Sequence, residues 1–200
     1  MKRSGFTLIE LSIVLIIIGL IIGGVMKGRD LINSANQKKI YNTWVNQWKV
    51  TINEYEDRTG ALLGDGTVNG GPSTENGIFD NFYERTAGTV PTVLKTSGLD
   101  LPVSNIASTK GGQYKIQGKY VIGVSDLIFR NIANKQNVLE FTNIPIDVAI
   151  AFDKMTDGTI DEASGDFTIY PIPTPTASGA AATPWGDASA GTKVNVALKL

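Results

Sequence analysis

From Leu11 to Met26 the chain carries no charged side chain, and Phe6, Leu8 and Ile9 extend the apolar stretch to about 20 residues, the length at which a helix crosses a hydrocarbon core. Eleven Leu, Ile and Val residues lie between positions 11 and 25. At about −0.3 to −0.6 kcal/mol each, they supply roughly −3 to −7 kcal/mol for insertion into a bilayer. One carboxylate, Glu10, sits at the near end of the run. An acid at mid-span costs on the order of 3 kcal/mol and one near the end costs less, so insertion wins. Lys2 and Arg3 resemble the basic flank of a secretory signal peptide, but no small-x-small cleavage site closes the run, and "VMKGRDLINSANQKK" continues as helix. The segment is expected to stay on the mature protein.

Composition narrows what the remainder can do. The chain has 200 residues, enough beyond the apolar run for a buried core. With 18 basic and 19 acidic side chains the net charge is −1, so no overall electrostatic footprint favours nucleic acid, and no nucleic-acid partner is predicted. There is no Cys and no His. Disulfides, thiolate metal sites, thiol nucleophiles and the usual neutral-pH general base are thereby removed. Any catalysis would rest on carboxylates, Lys, Tyr or Ser alone, and no enzyme is expected.

Lys2-Arg3-Ser4-Gly5, followed by Phe6-Thr7-Leu8-Ile9-Glu10-Leu11, resembles the processing site of type IV prepilins and of the pseudopilins of type II secretion. The motif combines a short basic leader, Gly before Phe, and Glu five residues past the cut, all ahead of an apolar helix. The resemblance implies cleavage after Gly5 by a prepilin peptidase on the cytoplasmic side and an N-methylated amino terminus at Phe6. Cleavage leaves an ammonium at the apolar end of the helix, and Glu10 is an anion about one helical turn further on. By family analogy, Glu10 of an incoming protomer pairs with the Phe6 amine of its neighbour. At about 4 Å and an effective dielectric near 20 the attraction is worth roughly 4 kcal/mol, offset in part by desolvation. Such a pair sets register more than strength, which helix burial supplies. The plainer reading of Glu10 is an acid placed at the positive end of the helix macrodipole. Gly19 and Gly23 form a small-xxx-small pair, which reads either as a spacing that lets helices approach closely or as a chance pairing in a long apolar run.

After Lys27 the pattern becomes amphipathic. Tyr41, Trp44, Val45, Trp48, Ile52 and Tyr55 recur at spacings of three and four, with polar residues on the other faces. This stripe reads as a core face against a sheet. Thr59-Gly60 ends it, and a helix from Thr7 to Arg58 would be roughly 75 to 80 Å long. "GALLGDGTVNGGPSTENG" reads as a long loop. Its Leu62-Leu63-Gly64-Asp65 resembles the Leu-Pro-Gly-Asp that follows the long helix in a subgroup of pilin-like proteins, with Leu63 in place of the Pro.

In the remainder, "QYKIQGKYVIGV" predicts a hairpin around Gln117-Gly118, and "NVLEF" predicts a strand. "IPIDVAIAFDKM" is ambiguous: alternation of Val148, Ile150 and Phe152 suggests strand, while Asn143 ahead of Pro145 suggests a capped helix start. Similarity of "DKMTDGTIDEASGDF" to a pilin-like pattern favours a short helix, then a strand near Phe167 to Pro171. A Pro-, Ala- and Thr-rich loop precedes a last strand, "TKVNVALKL". Asp153, Asp157, Asp161 and Glu162 raise a calcium question. Against an EF-hand loop, Asp153, Asp157, Gly158 and Asp161 occupy suitable places, but Met155 stands where a ligand is required and Ser164 where the bidentate Glu belongs. Some pseudopilins bind calcium in this half of the head, so Asp153, Asp157 and Asp161 are calcium candidates on resemblance, with solvated turn acids as the plainer reading; no other cofactor is expected.

The expected fold is α+β and pilin-like, a long N-terminal helix whose apolar half is transmembrane, packed against an antiparallel sheet. The expected divisions are a leader at 1–5, a transmembrane and assembly half at 6–26, an amphipathic half at 27–58 and a globular head at 59–200. The resemblance implies a subunit of a type IV pilus or pseudopilus, held in the inner membrane with its head outside the cytoplasm and then built into a periplasmic or cell-surface filament. Its expected partners are other pilin subunits, the prepilin peptidase, the assembly platform and its ATPase, and the membrane. The alternative is a signal-anchored envelope ligand-binding protein that does not polymerise.

Overall fold

The computed structural model describes residues 5–87, 89–106, 111–132, 135–160, 164–170 and 191–200. The chain divides into two compact units, Met1–Asn36 and Gln37–Leu200.

The first unit is helical from Leu8 onward and belongs to α1, Leu8–Ile40, none of whose residues is buried. Continuous helix from Leu8 to Thr59 is long and apolar enough, by length and composition, to cross a membrane. Gly19, Gly23 and Gly24 have open space where a Cβ would stand.

In the second unit the helix passes through a π-turn, Tyr41–Val45, into α2, Asn46–Thr59. Asn46 N–H bonds the Tyr41 carbonyl across the wide turn. The stripe read from the sequence is the buried face: Trp44, Val45, Trp48, Ile52 and Tyr55 all lie in the core. The π-turn lets adjacent Trp44 and Val45 both face inward. The indole N–H groups of Trp44 and Trp48 converge on one acceptor, the Gly111 carbonyl, at 2.8 and 3.0 Å. Satisfying both indoles inside the core avoids the cost of a buried, unpaired donor.

Among the described residues six strands form the sheet: β1 Phe82–Tyr83, β2 Gln113–Gln117, β3 Ile122–Ile132, β4 Gln136–Pro145, β5 Phe167–Tyr170 and β6 Lys193–Lys199. Their order is β1-β3-β4-β6-β5, with β2 paired to the first half of β3, and every pairing is antiparallel. The expected α+β architecture is therefore present. Aromatic contacts tie the helix to the sheet, with Trp44 edge-on to Phe141 at 4.9 Å and Trp48 edge-on to Phe129 at 5.8 Å. Phe79 and Phe82 close on Phe129, each at 5.0 Å.

The ambiguous segment resolves as strand followed by helix. β4 runs to Pro145, and α5 occupies Ile146–Asp157 with Pro145 as its N-cap. Asn143 does not cap the helix. It sits at φ 56 in a β-bulge of β4, where the register to β6 shifts between Phe141 and Ile144. Its N–H is taken by Asn195 Oδ1 at 3.1 Å. Three short elements went unread in the sequence: β1, α3 Glu84–Ala87 and α4 Val90–Thr96.

The expected loop after the helix is irregular apart from a short 3-10 turn, Thr67–Asn69, and two aspartates organise it. Asp65 accepts from the N–H groups of Asn76 and Gly77, while Asp80 accepts from those of Gly66 and Ser73. Tyr55 OH donates to Asn69 Oδ1 at 2.8 Å, fastening the loop to α2. Gly64, at φ 89, lies where a Cβ would come within 2.8 Å of the Phe129 ring. Only glycine meets both conditions.

Candidate functional site

Gly5 and Phe6 precede the helix, outside any regular element, and both are exposed. A Cβ on Gly5 would touch nothing within 4 Å, and the Phe6 side chain is 84% exposed.

Thr7 and Glu10 form a reciprocal cap over the first turn. Glu10 Oε2 accepts from the Thr7 backbone N–H and from the Thr7 hydroxyl, both at 2.8 Å. The Thr7 hydroxyl oxygen in turn accepts from Glu10 N–H at 3.4 Å. This is the capping-box arrangement, in which two otherwise orphaned N–H groups are satisfied by each other's side chains. The T-x-x-E signature at 7–10 is the sequence signal for it. Chemically, the box fixes the carboxylate at the outer end of the apolar helix and uses one of its oxygens. Glu10 Oε1 accepts no hydrogen bond among the described residues, and so has lone pairs for a donor from elsewhere. Phe6 lies one residue before the box and takes no part in it.

Of the acidic candidates of the head, Asp153 and Asp157 lie one turn apart on α5. Asp157, at the end of α5, is engaged: its two oxygens accept from Asp166 and Phe167 N–H, each at 3.0 Å, bracing the helix end against β5. Asp153 is fully buried on α5. Asp161 and Glu162 lie outside the described residues, as does the 171–190 loop. Among the described residues no group of three or more His, Cys, Asp or Glu side chains is placed to hold a metal ion. What Asp157 does in this structure is hold a turn.

On the sheet, Glu140 and Arg130 form an ion pair, with Asn195 Nδ2 donating to the other carboxylate oxygen at 3.2 Å. Arg130 also stacks over Tyr170, its guanidinium carbon 5.1 Å from the ring centroid. Burial pushes the Glu140 carboxyl above its ordinary value of 4.5, and the neighbouring guanidinium opposes that rise. The arrangement is structural, since it bridges four neighbouring strands, β3, β4, β6 and β5, across the sheet.

Residues 1–26 match the family model described as the prokaryotic N-terminal methylation motif, the signature of type IV pilins and pseudopilins. No curated protein and no solved structure matches the chain. Proteins carrying this motif are generally structural rather than catalytic. Motif and apolar helix together are consistent with membrane anchoring.

Proposed function

We propose that this chain is a structural subunit of a type IV pilus or pseudopilus, cut after Gly5, N-methylated on Phe6 and polymerised through its N-terminal helix. The observation that carries the reading is the motif over residues 1–26 joined to a helix whose first turn holds Glu10 in a fixed cap with one carboxylate oxygen unused. In the membrane the apolar residues of α1 are matched by lipid, and in a filament the same residues are matched by the helices of other copies. That exchange is close to neutral for apolar surface, so polar groups decide where copies stop. The liberated Phe6 ammonium is costly in an apolar bundle unless an anion meets it, and Glu10 of an adjacent copy supplies that anion. The head remains outside the cytoplasm, and the prepilin peptidase, platform protein and ATPase act on the chain as partners. The subunit itself is not an enzyme.

Filaments sheared from cells producing only Glu10→Ala test this. The expected outcome is continued processing with assembly reduced tenfold or more, because the insertion energy survives and the Thr7 hydroxyl still accepts from the residue-10 N–H, while the carboxylate half of the cap and the intermolecular pair are gone. Filaments at the wild-type level would overturn the role given to Glu10.

A further inference from the structure

One end of the second unit exposes apolar and basic side chains together. β2 and β3 form a hairpin in which Lys115 stands opposite Val124 and Gln117 opposite Ile122, so these four share one face. Ile122 and Val124 are 52% and 46% exposed, and Tyr120, in the turn just before them, is 61% exposed. Together they make an open apolar row that starts at the hairpin tip. Lysines flank it. Lys115 is exposed beside Val124, Lys119 Nζ lies 5.2 Å from the Tyr120 ring centroid, and the exposed Lys193 brings its Cε to 3.7 Å from where a Cβ on Gly123 would stand. Lys115 and Lys193 join neither ion pair found among the described residues, Arg85 with Asp126 and Arg130 with Glu140.

The tip is fastened to the place where the chain enters this unit. Asp147 Oδ2 accepts from Lys119 N–H at 2.8 Å and from Gln37 Nε2 at 3.4 Å, and Gln37 is the residue at which the unit begins. Lys135 and Gln136, beyond the other end of β3, line one cavity with Glu56 and Gly60 at the close of the helix. The hairpin therefore runs along the helix, its apolar tip at the entry end and the exposed acids Glu54, Glu56 and Asp57 at the far end. Gln37 follows Met26, the last residue of the apolar run, by 11 positions. Even fully extended, such a tether spans less than about 40 Å, and a tethered surface meets its target at high effective concentration. We infer that this hairpin tip docks on a bilayer surface carrying anionic headgroups, with Tyr120, Ile122 and Val124 at the interface and Lys115, Lys119 and Lys193 among the phosphates. Tyrosine suits that level because its ring is apolar and its hydroxyl wet, and lysine lays its stem along apolar surface with the ammonium in the headgroups. Anionic lipid attracts the basic end and repels the acidic one, which orients the unit. The inference rests on the membrane-anchored part of the proposed function and concerns the subunit before it enters a filament.

The test uses the full chain reconstituted in vesicles of phosphatidylcholine, alone or mixed with phosphatidylglycerol. The chain has no cysteine, so Gln117→Cys carries a single spin label on the docking face, and Glu54→Cys carries one at the far end. Collision with oxygen, which concentrates in lipid, relative to collision with a neutral nickel chelate in water reads the depth of each label. The ratio at position 117 is expected to be at least threefold higher in the mixed vesicles than in phosphatidylcholine, and the ratio at position 54 equal in both. Lys115→Gln with Lys193→Gln is expected to return position 117 to its phosphatidylcholine value. An equal ratio at 117 in the two vesicle types, or one that the lysine changes leave raised, overturns the docking. Protection at 117 that appears in both and grows with protein density identifies a second copy as the occupant and overturns it too. A chain that does not float with either vesicle overturns the membrane anchor, and this docking with it.

Discussion

Glu140 is only 2% exposed in its side chain, and its charge is stabilised by Arg130 and Asn195 rather than by water. Its folded pKa lies above the ordinary 4.5 because burial outweighs the guanidinium. The folded state then holds its proton more tightly than the unfolded one, so this group's contribution is fully present below about pH 4.5 and is lost as pH rises through the folded value. Thermal unfolding of the full chain in detergent, compared with Glu140→Gln from pH 4 to pH 8, is expected to show the wild type losing ground to the variant as pH rises. A difference that moves the other way would mean that the ion pair, not burial, dominates. At the same scale, the sequence displayed Glu10 and its neighbours plainly, because the N-terminal methylation motif is written in adjacent residues. It could not display that Trp44 and Trp48 share the Gly111 carbonyl, since that acceptor lies more than 60 positions away and offers only a backbone atom.

Among the elements, the long helix was legible from periodicity, and its stop from a single glycine. Gly60 takes φ 71, bonds Glu56 O through its N–H, and has empty space where a side chain would stand. Gly60→Ala therefore adds backbone strain without a clash. It is expected to cost about 1 to 2 kcal/mol, read as a lowered midpoint with unchanged slope in denaturant titration of the full chain. The π-turn was not legible, because Tyr41, Trp44, Val45 and Trp48 keep helical spacing with or without one wide turn. The strand and helix signals around Pro145 overlapped for a physical reason as well. β4 runs on to Pro145, immediately before the helix, and its bulge at Asn143 puts a turn-favouring residue inside a strand. α4 has seven residues, too few to establish a period.

For the whole molecule, an apolar run followed by an amphipathic stripe dictates a helix with two environments, and the alternating segments that follow dictate a sheet. Under the proposed function, the chemistry carried by the first residues gives that architecture a purpose: a short leader ahead of a retained helix makes sense if its removal creates a charge that the next copy can use. The central claim is thus covalent before it is structural. Intact-mass and fragment-ion analysis of the mature protein from its native membrane tests it most directly. The account predicts a chain beginning at Phe6 with one added methyl group on its amine; a chain that still begins at Met1, or one cut at any bond other than Gly5–Phe6, would contradict it.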